Sequence, residues 1–135
     1  MSIYDYEAAF GAADKTTKAM RSAITDWFDL YYQAEASTSE DPCQRIAYTV
    51  VNKLVRAIFG EYSVKAEEES CQRLMDALGK VKEQAVQLAL VGGECYLKPC
   101  PSGDGFRFTL IPRDHILVFG ADADGEPTEV GLVQR

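Results

Sequence analysis

At 135 residues the chain has the size of one domain, long enough to bury roughly two-thirds of the surface its unfolded form exposes, so a single core needs no staples. Hydrophobic residues make up 47% and charged residues 26%, the balance of a folded globular protein rather than a disordered one. Lys and Arg number 14 against 21 Asp and Glu, a net charge of −7, which disfavours a direct grip on nucleic acid because that depends on dense basic side chains neutralising phosphates. No apolar run is long enough to span a bilayer. The opening "MSIYDYEAAF" lacks the basic start and apolar body of a signal peptide. A cytosolic protein without a membrane is expected.

Residues 1–14 carry aromatics without a sustained period, and Gly11 is expected to break any helix; they read as a loose or partner-dependent arm. From about 15 to 33, Met20, Ile24, Trp27, Phe28 and Tyr31 form a helical stripe. The polar run "AEASTSED" follows as a loop. Asp41 and Pro42 then supply an N-cap and a first-turn proline, with Gln44 as a capping partner. They predict a helix over about 42 to 59. Its stripe of Ile46, Val50, Val51, Leu54, Val55 and Ile58 is wide enough to predict a central helix covered by more than one neighbour, with Gly60 at the exit.

"EYSVKA", residues 61–66, alternates like a short strand. Glu67 to Glu69 suit the positive end of a helix dipole, and Leu74, Leu78, Val81, Ala85 and Leu88 carry one helix over about 67 to 91. Gly79 inside it costs about 1 kcal/mol relative to alanine. After Gly92 and Gly93 the period changes from 3.6 to 2. "ECYLKPC", "FRFTLIP", "HILVFGA" and "TEVGLVQR" are four β-type runs over about 94 to 135, separated by turn-forming clusters that include Asp104, Gly105, Asp124 and Gly125. About three helices followed by an antiparallel meander of about four strands define an α+β class, read as a single domain over 15–135.

The residues with reactive chemistry are sparse. Cys43, Cys71, Cys95 and Cys100 contain no C-x2-C pair. "CYLKPC" has a C-x4-C form that His115 could join as a metal site, but an alternating strand would hold the two sulfurs apart. Small, partly buried thiols are the plainer reading. His115 is the one histidine, and no oxyanion-hole motif flanks it, so nucleophilic catalysis with Cys95 or Cys100 is weakly supported. Acidic clusters such as "AEEES" read as solvated faces. "DADG" opens like a calcium loop without completing the pattern, and a plain turn fits it better. No glycine-rich phosphate cradle is present. No catalytic, cofactor or metal residue is assigned. The cluster "WFDLYY" stands out: Trp27, Tyr31 and Tyr32 are either core or a contact surface, since such side chains join large area to a polar tip.

The order of these features resembles the N-terminal wing region of portal and related head-completion proteins of tailed bacteriophages. The resemblance rests on Trp27, Tyr31 and Tyr32; on Leu54, Val55, Phe59, Gly60 and Glu61; on Gly92 and Gly93; on Asp104 and Gly105; on Pro112, Asp114 and Ile116; and on Asp124 with Gly125. It extends from about residue 19 onward. It implies a non-enzymatic virion structural protein, present in the bacterial host cytoplasm during assembly and acting through subunit contacts in a ring at one vertex of the head. It also implies terminase and head or tail proteins as partners, and DNA passing only through the channel of the full ring. Portal subunits run to several hundred residues, so the resemblance further implies that this chain corresponds to part of a longer subunit. The alternative from the residues alone is a small metal-binding protein or Cys/His enzyme using Cys95, Cys100 and His115.

Overall fold

A computed structural model describes residues 11–32, 46–103 and 105–133. The fold is α+β. Its elements run α1 (Lys18–Tyr32), α2 (Ile46–Phe59), α3 (Glu69–Gly79), α4 (Lys82–Gly92), β1 (Cys95–Ser102), β2 (Gly105–Pro112), a 3-10 turn (Arg113–His115), β3 (Ile116–Ala121) and β4 (Pro127–Leu132).

α1 begins where the Thr17 hydroxyl accepts a hydrogen bond from the Met20 amide at 3.2 Å, satisfying one of the orphan donors of a first turn. Its buried positions, Ile24, Phe28 and Tyr31, follow the predicted helical spacing. The chain before α1 is not loose throughout. Residues 11–13 are helical, Gly11 included. Asp14, placed in the arm by sequence, has a carboxylate shielded from solvent. Its Oδ1 accepts from the amides of Thr16 at 3.0 Å and Val118 at 2.9 Å, and its Oδ2 pairs with Arg21. The Lys15 amide donates to the Val118 carbonyl at 2.7 Å, so β3 gains backbone and side-chain partners from the segment leading into α1.

The cap expected at Asp41 and Pro42 lies outside the described residues. α2 is not the central helix. Val55 is its one buried residue, while Ile46, Val50, Leu54 and Ile58 are 47 to 69% exposed. α4 takes the central place instead: it touches α1, α2, α3, β1, β2 and the 3-10 turn. Its sequence, "KEQAVQLALVG", carries apolar residues around much of its circumference, which suits a helix enclosed on several sides.

The single helix predicted over 67–91 is two. α3 ends at Gly79, and the Val81 amide bonds the Leu78 carbonyl at 3.0 Å with Val81 at φ −117°, outside helical geometry. Glycine removes the local preference for helix, and the apolar stripe continues across the break, so periodicity alone does not reveal it. The predicted strand at 61–66 is irregular: the Ala66 amide is taken by the Gln72 side chain at 2.9 Å rather than by a neighbouring strand.

The four strands form two separate antiparallel pairs rather than one meander. β1 and β2 pair without interruption from Cys95 opposite Pro112 to Ser102 opposite Gly105, around a turn in which Gly103 adopts φ +56°. β3 and β4 pair from Ile116 opposite Leu132, with a register shift between Val118 and Ala121. The 3-10 turn interrupts the chain between β2 and β3. One core cluster joins Ile24, Phe28 and Leu88 with Val91, Cys95 and Leu110. A second joins Ile111, Ile116 and Val118 with Tyr96 and spans the two sheets.

Candidate functional site

The residues singled out from sequence fall into different environments. Trp27 and Tyr32 are exposed on α1, at 40% and 56%. Tyr31 is buried between α1 and α2, its ring 5.4 Å from Tyr48 and 5.0 Å from Tyr32. Burial raises the Tyr31 hydroxyl above the ordinary tyrosine value, opposed by a hydrogen bond with Asn52; burial and then the nearby Asp114 carboxylate raise Tyr32. Tyr31 thus belongs to the helix junction, and Trp27 and Tyr32 remain on the surface.

The glycines act as turn and contact residues. Gly93 caps α4 at φ +89°, its amide bonding the Ala89 carbonyl at 2.8 Å, an exit that favours glycine. Gly92 permits close approach: a Cβ there would lie 2.9 Å from the Phe28 ring and 3.0 Å from the Arg113 Cβ. In the β3–β4 turn, Gly125 has φ +88°, and Asp122 holds the turn by accepting from the amides of Asp124 at 3.0 Å and Glu126 at 2.8 Å. That oxygen serves the backbone.

Cys95, Cys100 and His115 do not assemble into one constellation. Two residues five apart on a strand point to opposite faces about 16 Å apart. Cys95 contacts its neighbour's carbonyl, on Tyr96, at 3.8 Å, and burial raises its thiol above the usual range. Cys100 lies 3.7 Å from the Thr109 hydroxyl. His115 approaches Asp114 at 3.9 Å. Among the described residues no group of three His, Cys, Asp or Glu side chains could hold a metal ion, and no helix is long and apolar enough to cross a membrane.

One polar cluster was not legible in the sequence. The guanidinium of Arg113, 8% exposed, pairs with Glu94 at 2.5 Å, donates to the Ile116 carbonyl at 3.0 Å and to the Thr16 hydroxyl at 2.9 Å. The Tyr96 hydroxyl donates to the other Glu94 oxygen at 3.2 Å; burial, then that carboxylate, raise its pKa. These bonds tie the start of α1, the end of α4 and both hairpins. Each guanidinium nitrogen has a protein acceptor, so the cluster acts as a fastening between these elements.

Elsewhere the exposed surface includes an apolar line. Ile46, Val50, Leu54 and Ile58 repeat every four residues along α2, a solvent-facing line about 18 Å long. At its C-terminal end it reaches Phe59, which forms the wall of a cleft of about 550 Å³ with Tyr62, Met75, Leu78, Leu97 and Lys82. The Lys82 ammonium sits 4.4 Å from the Tyr62 ring centroid and 5.0 Å from that of Phe59, within range of a cation–π attraction. No ion pair holds Lys82 among the described residues.

No family model, curated protein or solved structure matches the chain. The site therefore stands on its geometry: an exposed apolar line on α2 and, past its C-terminal end, a largely apolar cleft that holds Lys82 and Asp76.

Proposed function

We propose that this chain is a non-catalytic structural domain that works through protein contacts, as a wing-type part of a ring-forming phage portal subunit. The observation that carries the proposal is the uncovered apolar surface. Among the described residues eight apolar side chains are buried, whereas seventeen large ones, the α2 line among them, are exposed. Single exposed apolar residues are ordinary, but a continuous line of them favours an interface. The order of motifs from Trp27 to Gly125 supplies the more specific part of the reading, with terminase and head or tail proteins as the remaining partners and DNA confined to the channel of a full ring.

The contact role is tested by light scattering on the wild-type chain and on V50E/L54E/I58E. The wild type is expected to gain mass with concentration. The variant should stay monomeric and keep its helical circular dichroism, since Val50, Leu54 and Ile58 are about half exposed. A wild type that is monomeric at every concentration removes the contact role. The portal part is tested by electron microscopy of the complete gene product: closed rings with a central channel support it, and isolated monomers or open filaments refute it.

A further inference from the structure

We propose that the Lys82 cleft receives residues 1–10 of a second copy of this chain; the proposal rests on the assembly reading above. The cleft offers apolar and aromatic walls from Phe59, Tyr62, Met75, Leu78 and Leu97. Its ammonium group, on Lys82, has no carboxylate partner among the described residues. Asp76 also lines the cleft, its carboxylate held by a hydrogen bond from Gln72 at 2.8 Å, which leaves Lys82 as the cleft's one cation for an incoming carboxylate. An occupant that completes this environment is apolar, aromatic and acidic.

The first ten residues, "MSIYDYEAAF", have that composition. Ile3, Tyr4, Tyr6 and Phe10 supply apolar and aromatic groups, Asp5 and Glu7 supply carboxylates, and the first basic side chain in the sequence is Lys15. A carboxylate entering a partly desolvated site beside an unpaired ammonium gains a charge-assisted contact that bulk water weakens.

The reach of the segment allows exchange between copies. Residues 14–16 are anchored beside Val118 and Arg113, at the Gly92 end of α4. The cleft lies at the Lys82 end, about 15 Å away along the helix axis. Ten extended residues reach at most about 36 Å, enough to leave one copy and cross into another. A donor segment and an acceptor cleft at opposite ends of α4 form two different complementary surfaces, the requirement for head-to-tail contacts that can close into a ring.

The experiment uses full-length chains carrying K82E or D5K/E7K, measured by sedimentation velocity alone and as an equal mixture. Each variant alone is expected to associate at least tenfold more weakly than wild type, because arm and cleft then carry like charges. The mixture should recover association, because each variant supplies the charge that the other's arm or cleft lacks. Failure of the mixture to recover, or an I3S/Y6S chain that associates like wild type, overturns the arm proposal and leaves the assembly reading standing; a monomeric wild type removes both. A fluorescent peptide of residues 1–10 provides a second measurement: its anisotropy should rise on wild type and rise at least tenfold less readily on K82E. Equal binding to both overturns the role of Lys82.

Discussion

Two glycine-to-alanine substitutions, identical in chemistry, should move stability in opposite directions. At Gly92 an added Cβ meets two atoms of the Phe28 ring at 2.9 Å and the Arg113 Cβ at 3.0 Å. Forcing a methyl group into such packing costs about 1 to 3 kcal/mol, which the helix preference for alanine offsets by about 1 kcal/mol. The net expectation is a loss of up to about 2 kcal/mol. At Gly79 nothing lies within 4 Å of the added atom, so reduced freedom of the unfolded chain stabilises by about 0.4 to 1 kcal/mol. The two variants should therefore differ by about 2 kcal/mol, or about 1 M in urea midpoint for a slope near 2 kcal/mol/M. Far-ultraviolet circular dichroism across a urea series measures this. Phe28→Leu should reduce the cost at Gly92 and leave Gly79→Ala unchanged, since only the first pair is in contact. A Gly92→Ala protein stabilised as much as Gly79→Ala would refute the close approach of α4 to α1.

Other outcomes follow from the polar cluster and the thiols. Arg113→Met should cost about 3 kcal/mol, because it leaves Glu94 and the Ile116 carbonyl without their shared donor; adding Glu94→Gln should recover part of it, and a cost below about 1 kcal/mol would contradict the fastening role. Cys71 is exposed and Cys95 is not. With its thiol raised by burial, Cys95 should alkylate at least tenfold more slowly than Cys71 at pH 8, as read by mass spectrometry of the modified peptides. Cys95, Tyr31, Tyr32 and Tyr96 all have raised folded-state values with burial as the first cause. Their contribution to stability is complete below the unfolded thiol and phenol values and is lost as pH rises past them. The urea midpoint should accordingly fall from about pH 8.5 upward, and a midpoint constant to pH 11 would contradict it.

The parts of the fold written locally were readable. Ile24, Phe28 and Tyr31 share one helical face and are buried together, and the change of period after Gly93 separates helices from strands. What periodicity conceals is which neighbour covers a face. The α2 stripe has the pattern of a core helix yet is mostly exposed, while α4, with its less one-sided pattern, touches most of the other elements. The break after Gly79 was hidden because the apolar stripe runs across it. Arg113 has no local signal, because its partner Thr16 lies 97 positions earlier, beyond the reach of any local pattern. The cleft, likewise, gathers residues from Phe59 to Leu97 that share no motif.

The separation of the two sheets has a mechanical consequence. Among the described residues no ladder of backbone bonds runs between the β1–β2 and β3–β4 hairpins, so apart from the chain itself a pull on the β3–β4 hairpin is borne by a few discrete fastenings: the Asp14 and Lys15 bonds to Val118, the Arg113 fork, and the apolar contact of Ile116 and Val118. Such a joint yields in one step rather than unzipping gradually. The β3–β4 hairpin would then part from the helical half as an intact lever, at a threshold load set by a handful of side chains.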